Sequence, residues 1–176
     1  MSKKMRISFT LDEEDTAYFR AIYNAAKRHA DPEDWPHISR GVRKLIKSVR
    51  ETTKAPKFVV EAVVALEDLM QMVDDEDYKA PKTVIARAIA ALAYFANPKD
   101  VIPDDVPMVG FLDDAIMIRL IEDDLEHELW GYRKFKAFRE GSEQRYWTPV
   151  ARKRLAPKLS AKRQELRGKI QARERK

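Results

Sequence analysis

The chain has 176 residues, of which 44% are hydrophobic and 36% are charged, and it contains no Cys. This composition fits one domain of ordinary size and excludes a disulfide framework, a thiolate metal site or a Cys nucleophile within it. The net charge of +5 is unevenly spread, because residues 131–176 hold 16 Lys and Arg against 4 Asp and Glu. The sequence therefore predicts an acidic body and a basic tail.

The first helix is predicted to follow a short extended N-terminal arm. Thr10 and Glu13 have the spacing of a capping box, with Thr10 as the N-cap. Acidic residues open the helix and Lys27, Arg28 and His29 close it, as the helix dipole favours. No apolar run follows the N-terminal residues, so we expect no secretory signal.

Three further helices are predicted before residue 97. Apolar residues at three- and four-residue spacing indicate a second helix from about Ser39 to Thr53. Pro56 suits the first turn of a third helix, which the acidic run 74–77 ends, and Pro81 opens a fourth. The most apolar window, 84–96, is too short to cross a bilayer, so it predicts a core helix and no transmembrane segment.

Residues 97–114 form the most unusual segment of the chain. They contain three prolines, one glycine and five aspartates between two apolar segments. Each proline lacks an N–H and restrains the residue before it to extended geometry, so this segment cannot be a regular helix. It predicts a rigid, acidic loop that joins two core helices.

A fifth helix is predicted from near Phe111 to about Arg139, and a basic helix from about Ser160. The result is an all-α bundle of about five helices with an extended N-terminal arm and a basic C-terminal helical tail. We divide it into an acidic helical-bundle domain (1–140) and a partly helical basic tail (141–176).

The segment 84–125 is similar to the YkvA-like family, domain of unknown function 1232. The family pattern is an apolar helix ending in Tyr, a Pro- and Asp-rich loop, and a second apolar helix. The matching positions are Tyr94, Pro98, Asp100, Ile102, Pro103, Asp104, Pro107, Gly110, Asp113 and Asp114. The resemblance implies a bacterial helical protein with no established activity. Some members are described as membrane-associated, but the second helix here contains Arg119, Glu122 and Asp123, which argues against an integral membrane protein.

The motif aspartates allow two interpretations. Asp100 and Asp104 can cap backbone N–H groups, while Asp113 and Asp114 meet the positive end of the fifth helix; Arg87 or Arg119 could pair with them. Alternatively, these four carboxylates bind Mg²⁺, Ca²⁺ or Mn²⁺. The capping interpretation is favoured. The segment has no Ser, Cys or His, so we predict no catalytic residue and no required cofactor.

The basic tail is the second candidate site. It could contact nucleic-acid phosphates or an anionic membrane surface, or it could fold back on the acidic body. The candidate contact residues are Arg152, Lys153, Arg154, Lys158, Lys162, Arg163, Arg167 and Lys169.

The leading functional hypothesis is a cytoplasmic, non-enzymatic interaction or scaffold protein with an unknown protein partner. In this hypothesis the Pro- and Asp-rich loop is structural and holds two core helices together. The alternatives are a nucleic-acid-binding protein that uses the tail, a divalent-cation-binding protein or metal-dependent enzyme, and a peripheral membrane protein. The segment from Lys4 to Thr10 with the two helices after it also resembles a ribbon-helix-helix module, whose strand would read DNA. The first helix and its loop are long for that fold, however, and further core helices follow, so this interpretation is not favoured.

Overall fold

The computed structural model describes residues 10–52, 55–96, 111–144 and 154–175. Over these ranges the chain forms seven α-helices and two short 3₁₀ helices, and no strand. The all-α prediction is confirmed. The predicted N-terminal arm before Thr10 lies outside the described residues.

The helices of the described ranges have the following order along the chain. The α-helices are α1 (Glu13–Arg28), α2 (Trp35–Glu51), α3 (Lys57–Asp74), α4 (Lys82–Leu92), α5 (Leu112–Asp124), α6 (Glu126–Glu143) and α7 (Leu155–Glu174). The 3₁₀ helices are Pro32–Asp34, before α2, and Ala93–Ala96, after α4.

The predicted fifth helix is two helices, which is one reason why about five was too low a count. The backbone of Leu125 leaves the helical region, at φ −116° and ψ 19°, while its side chain stays 1% exposed. The break therefore directs α5 and α6 separately onto the core. Uninterrupted apolar spacing through this region concealed it, because Leu125 satisfies the pattern of either helix.

Several predicted helix starts are displaced for local reasons. The capping box of α1 is formed by Asp12 and Asp15, two residues after the predicted pair, and the Asp15 N–H donates to the Asp12 carboxylate at 2.9 Å. α2 begins at Trp35 because Pro36 is tolerated in a first helical turn. For the same reason α7 begins before Ser160, at Leu155, with Pro157 in its first turn.

One main core joins most of the helices. It includes Leu66 and Leu69 of α3, Leu92 of α4, Ile118 of α5 and Phe135 of α6, each of which is almost completely buried. A smaller cluster lies where Val49, Val59 and Val63 meet Phe111 and Ala115. Burial of this apolar surface is the main source of stability for such a bundle.

α2 crosses the 3₁₀ helix Ala93–Ala96 at very close range. A Cβ atom built on Gly41 would lie 2.0 Å from the carbonyl oxygen of Phe95. Only a residue without a side chain allows this approach. Gly41 therefore determines how closely α2 packs against the 3₁₀ helix Ala93–Ala96.

α7 packs along α6. Leu159, Leu166 and Ile170 are each 5% exposed or less, and Leu159 and Leu166 belong to the main core cluster. A Cβ atom on Gly131 of α6 would lie 2.4 Å from Ile170 Cδ1, so the two helices approach closely. The predicted basic tail thus contains a helix whose apolar face is covered by the bundle.

Candidate functional site

A large groove lies between α2 and α3 on the described surface. It has a volume of about 1080 Å³. One wall is basic and comes from α2, and the opposite wall is acidic and comes from the end of α3 and the residues after it. Its charged lining residues are Arg43, Lys47, Arg50, Glu51, Glu67, Asp74, Asp75, Glu76, Asp77 and Arg139.

The basic wall is part of a cationic stripe along α2. Its members, which we call the α2 basic face, are all exposed: Arg40, Arg43, Lys44, Lys47 and Arg50. Their spacing of three or four residues places them on one side of the helix. The opposite side buries Ile38, Val42 and Val49. The stripe extends over roughly 15 Å at 1.5 Å per residue.

Some cations of the α2 basic face are already engaged. Arg50 pairs with Glu67 of α3, and Arg40 Nε donates to the Pro36 carbonyl at 3.1 Å. Lys47 lies 3.8 Å from Glu51, which is a weak surface contact. Within the described ranges, Arg43 and Lys44 take part in no ion pair. The face therefore presents cationic groups that have no internal carboxylate partner there.

The acidic wall is held in place by Asp75. Its carboxylate accepts hydrogen bonds from the backbone N–H groups of Asp77 and Tyr78, at 3.0 and 2.9 Å. It also accepts two from Arg139 Nη1 at 2.7 and 2.9 Å, and one from the Tyr132 hydroxyl at 3.2 Å. Burial and the neighbouring Asp75 charge raise the pKa of Tyr132 well above its usual value. The connection between α3 and α4 is therefore fixed to α6.

Most of the predicted loop site lies outside the described residues: Pro98, Asp100, Ile102, Pro103, Asp104, Pro107 and Gly110. Tyr94 is buried in the second 3₁₀ helix. Asp113 and Asp114 both lie in the first turn of α5, at 2% and 5% exposure. Both carboxylates therefore lie near the N-terminus of α5, where the helix dipole favours negative charge.

The cation hypothesis gains no support from the part of the chain that the structure describes. Those residues contain no group of three or more acidic or histidine side chains that could hold a metal ion. Arg87 and Arg119, the expected partners of the motif aspartates, make ion pairs with Glu174 and Asp123. Cation binding that involves Asp100 and Asp104 stays a prediction.

The predicted tail contacts are divided between the protein interior and its surface. Arg163 donates to the Asp77 carbonyl at 2.8 Å, and Arg167 pairs with the buried Glu128 at 2.8 Å. Lys162 and Lys169 both pair with Glu165. Arg154 and Lys158 are exposed, whereas Arg152 and Lys153 lie outside the described residues. At least two of the eight candidates therefore bind the acidic body.

The comparisons with known proteins agree with the expected family resemblance. Residues 84–120 match the family described as "Protein of unknown function (DUF1232)". No curated protein and no solved structure matches the chain. None of the helices in the described ranges has the length and apolarity needed to cross a membrane.

The α2 basic face was not among the predicted sites, although its signal is visible in the sequence. The spacing of Arg40, Arg43, Lys44, Lys47 and Arg50 is helical, and the helix contains one acidic residue, Glu51. Total charge favours the tail as a candidate site, because residues 131–176 contain more Lys and Arg than α2 does. Only the structure shows that Arg163 and Arg167 of the tail contact the bundle, while the cations of the α2 basic face are exposed.

Proposed function

We propose that the protein is a non-enzymatic interaction protein that binds an acidic surface of a protein partner through the α2 basic face. One observation carries this proposal: five cations lie on one exposed side of α2, and within the described ranges Arg43 and Lys44 have no ion-pair partner. Exposed cations of this kind can raise both the affinity and the association rate of a partner that has the opposite charge.

The neighbouring acidic wall supports a protein partner over a long polyanion. Asp74, Glu76 and Asp77 are exposed beside the basic face. A nucleic-acid duplex laid along α2 brings its phosphates close to these carboxylates, and like charges repel. A protein surface can match both walls, with acidic residues against α2 and basic residues against 74–77.

Site-specific photocrosslinking in cells tests this proposal. With a photoreactive residue in place of Lys44, we expect a discrete protein adduct that is lost in the Arg40→Glu/Arg43→Glu background. Lys82→Glu, which reverses an exposed cation at the start of α4, is the matched control and should leave the adduct intact. An adduct that survives the double reversal contradicts the proposed surface.

A second candidate is nucleic-acid binding through the same face, favoured by the cations of α2 that have no internal partner. Fluorescence anisotropy with a labelled DNA duplex separates it from the first. Affinity that falls steeply with salt and is lost in Arg40→Glu/Arg43→Glu indicates phosphate contacts. In that case the protein-partner proposal is wrong.

A further inference from the structure

The N-terminal half of α3 exposes an unusual amount of apolar surface. Four large hydrophobic side chains are strongly exposed in the described ranges, and three lie in this half: Phe58 at 46%, Val60 at 45% and Val64 at 49%. Val60 and Val64 lie one helical turn apart, so their exposed side chains are neighbours on the surface of α3. The fourth, Tyr18, belongs to α1.

Two of these residues belong to a seam with coiled-coil spacing. Lys57, Val60, Val64, Glu67 and Gln71 follow one another at alternating intervals of three and four residues. This spacing produces a straight stripe that a second helix can pack along. We call these five residues the α3 seam. Phe58 lies at the start of α3, on another side of the helix.

The charges of the α3 seam are arranged symmetrically about its centre. Lys57 precedes Val60 by three residues, and Glu67 follows Val64 by three. From Lys57 to Glu67 the seam therefore has a cation at one end, two valines in the middle and an anion at the other end, and Gln71 lies beyond this part. Two copies in antiparallel orientation, related by a two-fold axis level with Ala62, would place Val60 opposite Val64.

The same axis places Lys57 of each copy opposite Glu67 of the other, so the dimer contains this charge pair twice. Parallel orientation would instead oppose Lys57 to Lys57 and Glu67 to Glu67, which is unfavourable. The present partner of Lys57 is Glu61, at 3.1 Å, and both side chains are largely exposed. Such a pair contributes little, so Lys57 can join the Arg50–Glu67 pair of the other copy.

We infer that the α3 seam is a self-complementary surface through which two copies of this chain form an antiparallel dimer. About this axis the two seams overlap from Lys57 to Glu67, roughly 15 Å at 1.5 Å per residue, which is short for an interface that must bury about 1,000 Å² to be specific and stable. The dimer is therefore weak and forms reversibly as concentration rises. The inference concerns the association of two copies and has its own test, although Glu67 of the seam also lines the groove beside the α2 basic face.

Sedimentation equilibrium of the full chain over a wide concentration range tests the dimer. We expect the apparent mass to rise towards twice the monomer mass, and Val64→Glu to weaken association at least tenfold. Phe58→Glu is the control, because Phe58 is equally exposed but lies off the seam. A constant monomer mass, or a dimer that Val64→Glu leaves unchanged, overturns the inference.

A charge exchange tests the antiparallel orientation. Lys57→Glu alone should weaken the dimer, because it places a second carboxylate opposite Glu67 of the other copy, and adding Glu67→Lys should restore it. Lys57 is exposed, whereas Glu67 is partly buried and pairs with Arg50, so circular dichroism is needed to show that each variant is folded. A double variant no stronger than Lys57→Glu contradicts the proposed register.

Discussion

Gly41 shows how a single residue position determines a helix crossing. Its missing side chain leaves room for the Phe95 carbonyl, which a Cβ atom would approach to 2.0 Å. The neighbouring atom belongs to the backbone, so it cannot move aside as a flexible side chain can. The contact fixes α2 against the residues that lead into the Pro- and Asp-rich segment.

Gly41→Ala is therefore expected to destabilise the protein by at least about 1–3 kcal/mol, the usual cost of overpacking. Urea unfolding followed by circular dichroism measures this change. Gly168→Ala is the matched control, because a Cβ atom there meets nothing within 4 Å. In the interior of α7 it should stabilise by roughly 0.5–1 kcal/mol. Equal effects of the two variants would contradict the close approach.

The contact between helices α1 and α5 depends on one charged group, the carboxylate of Asp124. The Asp124 carboxylate accepts hydrogen bonds from Tyr23 Oη at 2.7 Å and Lys27 Nζ at 2.6 Å. Burial pushes the pKa of Asp124 upward, but the hydrogen bonds from Lys27 and Tyr23 outweigh it and hold the pKa below its usual value. The ionised form is therefore favoured in the folded protein.

This lowered pKa predicts a dependence of stability on acid. The stabilising contribution is present above the unfolded-state pKa, about 3.9, and disappears as the pH falls through the lower folded-state value. The difference in free energy of unfolding between the natural protein and Asp124→Asn should shrink from pH 6 to pH 3. Asp123→Asn, which alters a surface pair with Arg119, should give a small difference throughout.

The attachment of α7 to α6 combines apolar burial with charge pairing. Leu166 is 2% exposed and belongs to the main core, and Arg167 beside it pairs with Glu128. Leu166→Ala should therefore lower the free energy of unfolding by about 2–5 kcal/mol. Gln164→Ala, at an exposed position, should change it little. An unchanged main transition in Leu166→Ala would mean that the tail unfolds separately from the bundle.

At the scale of the whole molecule, total charge is a poor guide to the charge that a partner meets. The segment 131–176 is strongly basic, but Arg163 and Arg167 are directed towards the bundle. α2 has a smaller charge, and its cations lie on a side that faces solvent. The charge that is exposed at the surface therefore depends more on the orientation of each helix than on its composition.

Much of the architecture could be predicted from the sequence. Apolar spacing located the helices, and the prolines at 56 and 81 stand at the starts of α3 and α4. Side-chain spacing could not reveal the break at Leu125, because that residue is buried in either arrangement. The direction of the tail cations was also beyond prediction, since it depends on contacts between residues far apart in the chain.

The docking of α7 places a tryptophan where its fluorescence reports on the contact between α6 and α7. Arg173 of α7 lies over the indole ring of Trp130 in α6, with its guanidinium carbon 3.9 Å from the ring centroid. Separation of the two helices removes that cation and hydrates the ring. The indole of Trp35 donates instead to Asp74, from the start of α2 to the end of α3, at 2.8 Å. In variants that retain Trp130 or Trp35 alone, intrinsic fluorescence can therefore follow tail docking and the contact between α2 and α3 separately, without any attached dye.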